Sequence, residues 1–185
     1  MDALGWVLLI VGIVIVAAIV WWVVRSARTR TLQRDFGPEY DRTLARSGGR
    51  SEAEADLRDR RERVSNLDIR PLSQPDRDRF ASEWTQVQAE FVDQPASAVS
   101  DADHLIQEVM SRRGYPVEDF DRRSADISVE HPEVVENYRS AHSIAVKEGR
   151  SEGQANTEAL RKAMVYYRSL FDELLVVDGG NGRRN

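Results

Sequence analysis

The sequence predicts an all-α protein: one N-terminal transmembrane helix followed by a helical-bundle-like soluble domain. Three observations carry that expectation. Residues 4–24 form an unbroken apolar run without a charge, and several later segments repeat apolar residues at i, i+4 and i+7. No segment shows the strict alternation of a half-buried strand.

The apolar run, LGWVLLIVGIVIVAAIVWWVV, starts at Leu4 and ends at Val24. Its 21 residues span roughly 31 Å at about 1.5 Å each, close to the roughly 30 Å hydrocarbon core of a bilayer. Trp6 stands at one end and Trp21 with Trp22 at the other, where indoles favour the headgroup level. Arg25, Arg28, Arg30 and Arg34 follow at once, while the opposite flank offers only the α-amine and Asp2. This asymmetry predicts a single-pass protein of the cell membrane, with the N-terminus outside and the C-terminal domain cytoplasmic. The four arginines are expected to contact the lipid surface, each attracting anionic lipid by about 1 kcal/mol. A cleaved signal peptide would instead show a basic start, a shorter apolar stretch and a small-residue cleavage site. A buried core helix would carry a polar face over this length.

Composition narrows the chemistry. The chain has 185 residues and no cysteine, which removes disulfides, thiolate catalysis and cysteine-ligated metals. Residues 1–34 carry +3, so a whole-chain charge of −5 leaves −8 on the remainder. That acidic balance argues against nucleic acid as a partner. The expected organisation is an anchor with a basic juxtamembrane segment over 1–34, a helical spacer over 35–67, a helical domain over 68–178 and a disordered tail over 179–185.

Local signals place the helices. Asp35-Phe36-Gly37-Pro38 is a break, and Pro38 opens a short helix to about Arg46 that carries Tyr40 and Leu44 on one side. After Ser47-Gly48-Gly49, Ser51 and Glu54 have capping-box spacing and open a helix to about Leu67. Its pairs Glu54/Arg58, Asp56/Arg60 and Asp59/Arg63, with few apolar residues, predict a solvated spacer. Residues 68–72 read as an extended strap, because Pro71 keeps Arg70 out of the helical region.

Ser73 caps the next helix, whose stripe is Phe80, Trp84, Val87 and Phe91. A helix over about 96–113 ends at Gly114, a short one covers about 118–127, and Pro132 opens another. Residues 147–154 are expected to loop. The final helix, about 157–177, carries Leu160, Met164, Tyr167, Leu170, Phe171 and Leu174.

No catalytic constellation emerges. His131 and His142 are eleven residues apart, roughly 16 Å along a helix, too far for one metal. His104 has Asp101 and Glu108 nearby, but the paired Glu-x-x-His motifs of a carboxylate-bridged site are missing. No serine sits in a nucleophile motif. The reading is therefore no metal, no cofactor and no catalytic residue. The rival reading is a small helical hydrolase or metal-dependent enzyme using His104 or His142 with nearby carboxylates.

The connection RRGYPVEDF is the candidate interaction loop, through Arg113, Tyr115, Pro116, Asp119 and Phe120. Aromatics, a rigid proline and charges together suit recognition. The alternative is that Tyr115 and Phe120 plug one end of the bundle.

FGPEYDRTL, LDIRPLS, EWTQVQAEFVDQP, RRGYPVEDF, ISVEHPEVVENYRSAH and YRSLFDELL resemble an uncharacterised family of bacterial single-pass membrane proteins with a C-terminal helical domain. The resemblance spans nearly the whole chain. It implies a bacterial inner-membrane setting and transfers no catalytic residue. The combined expectation is a membrane-anchored protein-interaction or scaffold module, with membrane lipids and a protein as partners.

Overall fold

A long apolar helix followed by glycine- and proline-punctuated amphipathic ones is what the computed structural model contains. It describes residues 3–150 and 155–176, with side chains from residue 11 onward. Among the described residues there are eight α-helices and no strand. The expected tail over 179–185 lies outside the described residues, as do the side chains of Leu4 and Trp6. The chain divides into two compact units, Met1–Arg58 and Asp59–Asn185.

In the first unit, α1 (Ala3–Phe36) runs unbroken through the apolar stretch and the four arginines. Its 34 residues make about 51 Å of helix at about 1.5 Å each, longer than a hydrocarbon core. From Val11 onward it remains long and apolar enough to cross a membrane, and its apolar window buries nothing against protein. Gly37 stops it with a positive φ of 45°, and α2 (Pro38–Arg46) starts on Pro38 as expected.

Helix α3 (Arg50–Ser65) begins two residues earlier than the Ser51 cap implied. The Gly49 carbonyl accepts the first helical bond, and the Glu52 carboxylate accepts from the Gly48 N–H at 3.0 Å. Glu54 is thereby released from capping and turns inward. The solvated-spacer reading is also corrected, since Ala53, Glu54, Leu57 and Val64 are all buried.

In the second unit, α4 (Gln74–Glu90), α5 (Pro95–Arg113), α7 (Val135–Gly149) and α8 (Thr157–Leu175) form the bundle. Short α6 (Phe120–Glu130) packs against α7. Helix α5 touches α4, α7 and α8, so it sits at the centre. Phe80 and Trp84 of α4, Ile106 and Val109 of α5, Tyr138 of α7 and the predicted α8 stripe share one core. Trp84 stacks on Phe171 with ring centres 4.5 Å apart. Burying such side chains contributes roughly 1.5–3 kcal/mol each, enough for four stripes to hold a domain together.

The caps follow the sequence closely. The Ser73 hydroxyl accepts from the Asp76 N–H at 3.2 Å, and Gly114 ends α5 in the left-handed region. The strap behaves as expected: Leu72 is buried, Ile69 packs on the core, and the Arg70 N–H donates to the Arg113 carbonyl at 2.9 Å.

The boundaries of α6 and α7 move. Helix α6 starts at Phe120 rather than Glu118 because Asp119 caps it, accepting from the Arg122 N–H at 2.8 Å. It runs to Glu130 rather than Ile127, with the His131 N–H donating to the Ile127 carbonyl at 2.9 Å. Residues 132–134 form a turn rather than the first helical residues, and the His131 carbonyl accepts from both the Val134 and the Val135 N–H at 3.3 Å. Helix α7 continues to Gly149, since buried Glu148 accepts from the Asn156 N–H at 2.7 Å and holds the turn against α8. The rest of the expected loop, residues 151–154, lies outside the described residues.

Candidate functional site

Two regions carry the side chains singled out by sequence: the α1–α3 neck of the first unit and the α5–α6 connection of the second.

At the neck, the apolar face of α1 is open on every side. Residues such as Ile13, Val14, Val16, Trp21 and Trp22 are more than half exposed, and Val24 is also exposed. Arg25, Arg28, Arg30 and Arg34 continue the same helix, and the Arg25 guanidinium lies 5.4 Å from the Trp21 ring centre. Glu54 then fastens three helices. One of its carboxylate oxygens accepts from the Thr29 hydroxyl of α1 at 2.8 Å and the Tyr40 hydroxyl of α2 at 3.2 Å. Burial and the Glu54 charge both raise the Tyr40 pKa, so the phenol stays a donor. The expected Glu54/Arg58 pair is replaced: Arg58 Nε donates to the Glu54 backbone carbonyl at 2.8 Å.

At the α5–α6 connection, most of the candidate interaction residues turn inward. Arg113 is only 1% exposed and donates to the Leu174 carbonyl at 3.2 Å, which caps the C-terminal end of α8. Tyr115 is buried and donates to Glu130. Pro116 is half-buried, Asp119 serves as the α6 cap, and Phe120 stacks on His142 at 3.7 Å. Arg113 and Tyr115 are buried and Phe120 is half-buried, so these three side chains close one end of the bundle. Sequence pattern alone does not separate a recognition loop from such closure, because both use the same residue types.

Behind Phe120 lies a polar chain that sequence inspection missed. Buried Arg123 donates to the Tyr138 hydroxyl at 2.6 Å and to the Val117 carbonyl at 2.7 Å. The Tyr167 hydroxyl and one Asp103 oxygen are buried nearby without meeting hydrogen-bond geometry. Burial first, then the Asp103 charge, pushes both phenols far above the usual tyrosine range. Neither serves as a base near neutral pH. No local signal marked this polar chain, because the buried face of α6 carries Ser124, Asp126 and Ser128 beside Arg123 and only one apolar residue, Ile127.

The histidines do not converge. His104 is exposed on α5, His142 is half-buried against Phe120, and His131 is buried with Nδ1 3.4 Å from Glu173. Burial lowers the pKa of His142 and His131, and Arg113 lowers His131 further. Among the described residues no three His, Asp or Glu side chains gather as a metal site.

The histidine shifts set a pH dependence. Both rings are held neutral in the fold but take up protons near 6.5 when unfolded, so folding loses stability as pH falls below about 6.5. The thermal midpoint is expected to drop between pH 7 and pH 5, and His131→Gln should flatten that slope. An unchanged slope in the variant would remove His131 as the cause.

Compared with protein-family models, curated proteins and solved structures, the chain matches none.

Proposed function

We propose that this chain is a single-pass membrane protein that holds a helical bundle at the cytoplasmic face as a protein-binding or scaffold module. The observation that carries the reading is the open apolar surface of α1 from Val11 to Val24, ended by paired tryptophans and followed by arginines. Exposed to water, such a contiguous patch would drive aggregation, whereas in lipid it is satisfied on every side. The basic flank favours the orientation with residues 35–185 inside.

The bundle's buried charged groups support an interaction role over chemistry. Arg123, Arg113, Asp126 and Glu148 are engaged with neighbouring groups of the fold itself. What the bundle offers to other molecules is then its outer helical surface. The family resemblance noted from the sequence fits the same bacterial inner-membrane reading.

Membranes extracted with alkaline carbonate are expected to retain the full chain, and a charged Val14→Asp variant should shift a large share to the soluble fraction. An aspartate near the helix centre costs about 2.5–3.5 kcal/mol of insertion. Equal retention of both proteins would refute a spanning α1. Protease added to sealed inside-out vesicles should digest residues 35–185, and protection there would reverse the orientation. Cross-linking in the membrane should capture one specific protein through the bundle.

A further inference from the structure

The basic neck holds more than a smear of charge. Glu54 of α3 is bonded to Thr29 of α1, and a pocket of about 130 Å³ beside that bond is lined by Trp21, Arg25 and Arg28 of α1 together with Ser51, Glu54 and Arg58 of α3. That volume equals about four waters at about 30 Å³ each, the scale of a single phosphate group. Arg25 and Arg28 make no ion pair with any described residue, and Arg58 uses only Nε, on the Glu54 carbonyl. Glu54 forms one wall, but the oxygen that binds Thr29 and Tyr40 is turned to the helix junction. Three guanidiniums thus oppose one carboxylate. Arginine's planar fork of donors suits phosphate oxygens, and the Ser51 hydroxyl adds another donor.

We propose that this pocket binds the phosphate of an anionic phospholipid headgroup. The proposal rests on reading α1 as the membrane span, which puts Trp21, and therefore the pocket, at headgroup depth. It goes further by giving the neck one defined site completed by α3. A lipid phosphate engaged by Arg58 and Ser51 as well as Arg25 and Arg28 would couple lipid binding to the packing of α3 on α1.

The test uses the full chain in neutral-detergent micelles, titrated calorimetrically with short-chain phosphatidylglycerol, short-chain phosphatidylcholine and inorganic phosphate. One saturable site for phosphatidylglycerol is expected, with at least tenfold weaker binding of phosphatidylcholine. Arg58→Gln should weaken phosphatidylglycerol about tenfold with circular dichroism unchanged. Arg46→Gln, which removes the same charge from the exposed end of α2 outside the pocket, should change it less than twofold. Equal effects of the two variants would overturn the pocket in favour of diffuse attraction. Inorganic phosphate binding as tightly as the lipid would overturn the lipid assignment. Flotation of the chain with purely phosphatidylcholine vesicles reports the anchor separately, so loss of flotation with an intact micellar site would fail the span and spare the pocket.

Discussion

Arg63→Ala is expected to destabilise the second unit by about 4 kcal/mol, within the roughly 3–5 kcal/mol seen when one partner of a buried ion pair is removed. Asp126 of α6 is 0% exposed, and Arg63 Nε donates to its Oδ1 at 2.8 Å. The second oxygen, Oδ2, is buried without a hydrogen-bond partner. Taking away the guanidinium leaves a carboxylate that has lost its water and its counter-charge together. The reverse change, Asp126→Asn, should cost less, because Arg63 is 32% exposed and can rehydrate. Replacing both, as Arg63→Met with Asp126→Leu, should recover most of the loss, since no buried charge remains. Thermal unfolding of the full chain in neutral detergent, followed by circular dichroism, checks the order. A loss below 1 kcal/mol for Arg63→Ala would mean that Asp126 reaches solvent.

Gly114→Ala is expected to cost about 3 kcal/mol. The left-handed φ of 101° penalises any L side chain by roughly 1–2 kcal/mol. A Cβ there would also lie 2.3 Å from the Asp68 carbonyl oxygen and 3.1 Å from its carbon, both backbone atoms of the strap. Forcing extra atoms into a packed site adds roughly 1–3 kcal/mol. The strap has little freedom to retreat, because the Arg70 N–H is bound to the Arg113 carbonyl and Leu72 is buried. Gly114→Asn separates the two costs: asparagine tolerates the left-handed region but still brings a Cβ. If Asn matches Ala, the clash dominates; if Asn is well tolerated, the backbone does. Gly149→Ala is the control, with nothing within 4 Å of the new carbon, and should stay within about 0.5 kcal/mol of the parent.

Helices α2, α4, α5 and α8 were readable to within a residue or two because their starts and stops carry local signals. Pro38, Ser73, Gly114 and the regular stripe from Leu160 to Leu174 each act within one or two turns of chain. Boundaries failed where a distant group decided them. Glu148 extends α7 by binding the Asn156 N–H across the loop to α8. The candidate site was legible in part. The tryptophans and arginines beside the apolar run were visible as a neck, whereas Ser51, Glu54 and Arg58 looked like an exposed helix end.

The sequence by itself determined the helical class, the apolar span, the basic flank and the core stripes. Hydrophobic periodicity, capping and length are properties of neighbouring residues. Only the tertiary structure decided which charges go inside. Arg113, Arg123 and Asp126 look like solvent-facing residues until Leu174, Tyr138 and Arg63 are brought to them. A buried charge is tolerable only beside a fixed partner, and those partners are 15 to 63 residues away in the chain. The pocket beside α1 follows the same logic: Arg58 joins Arg25 and Arg28 only because Glu54 fastens α3 to Thr29 and Tyr40.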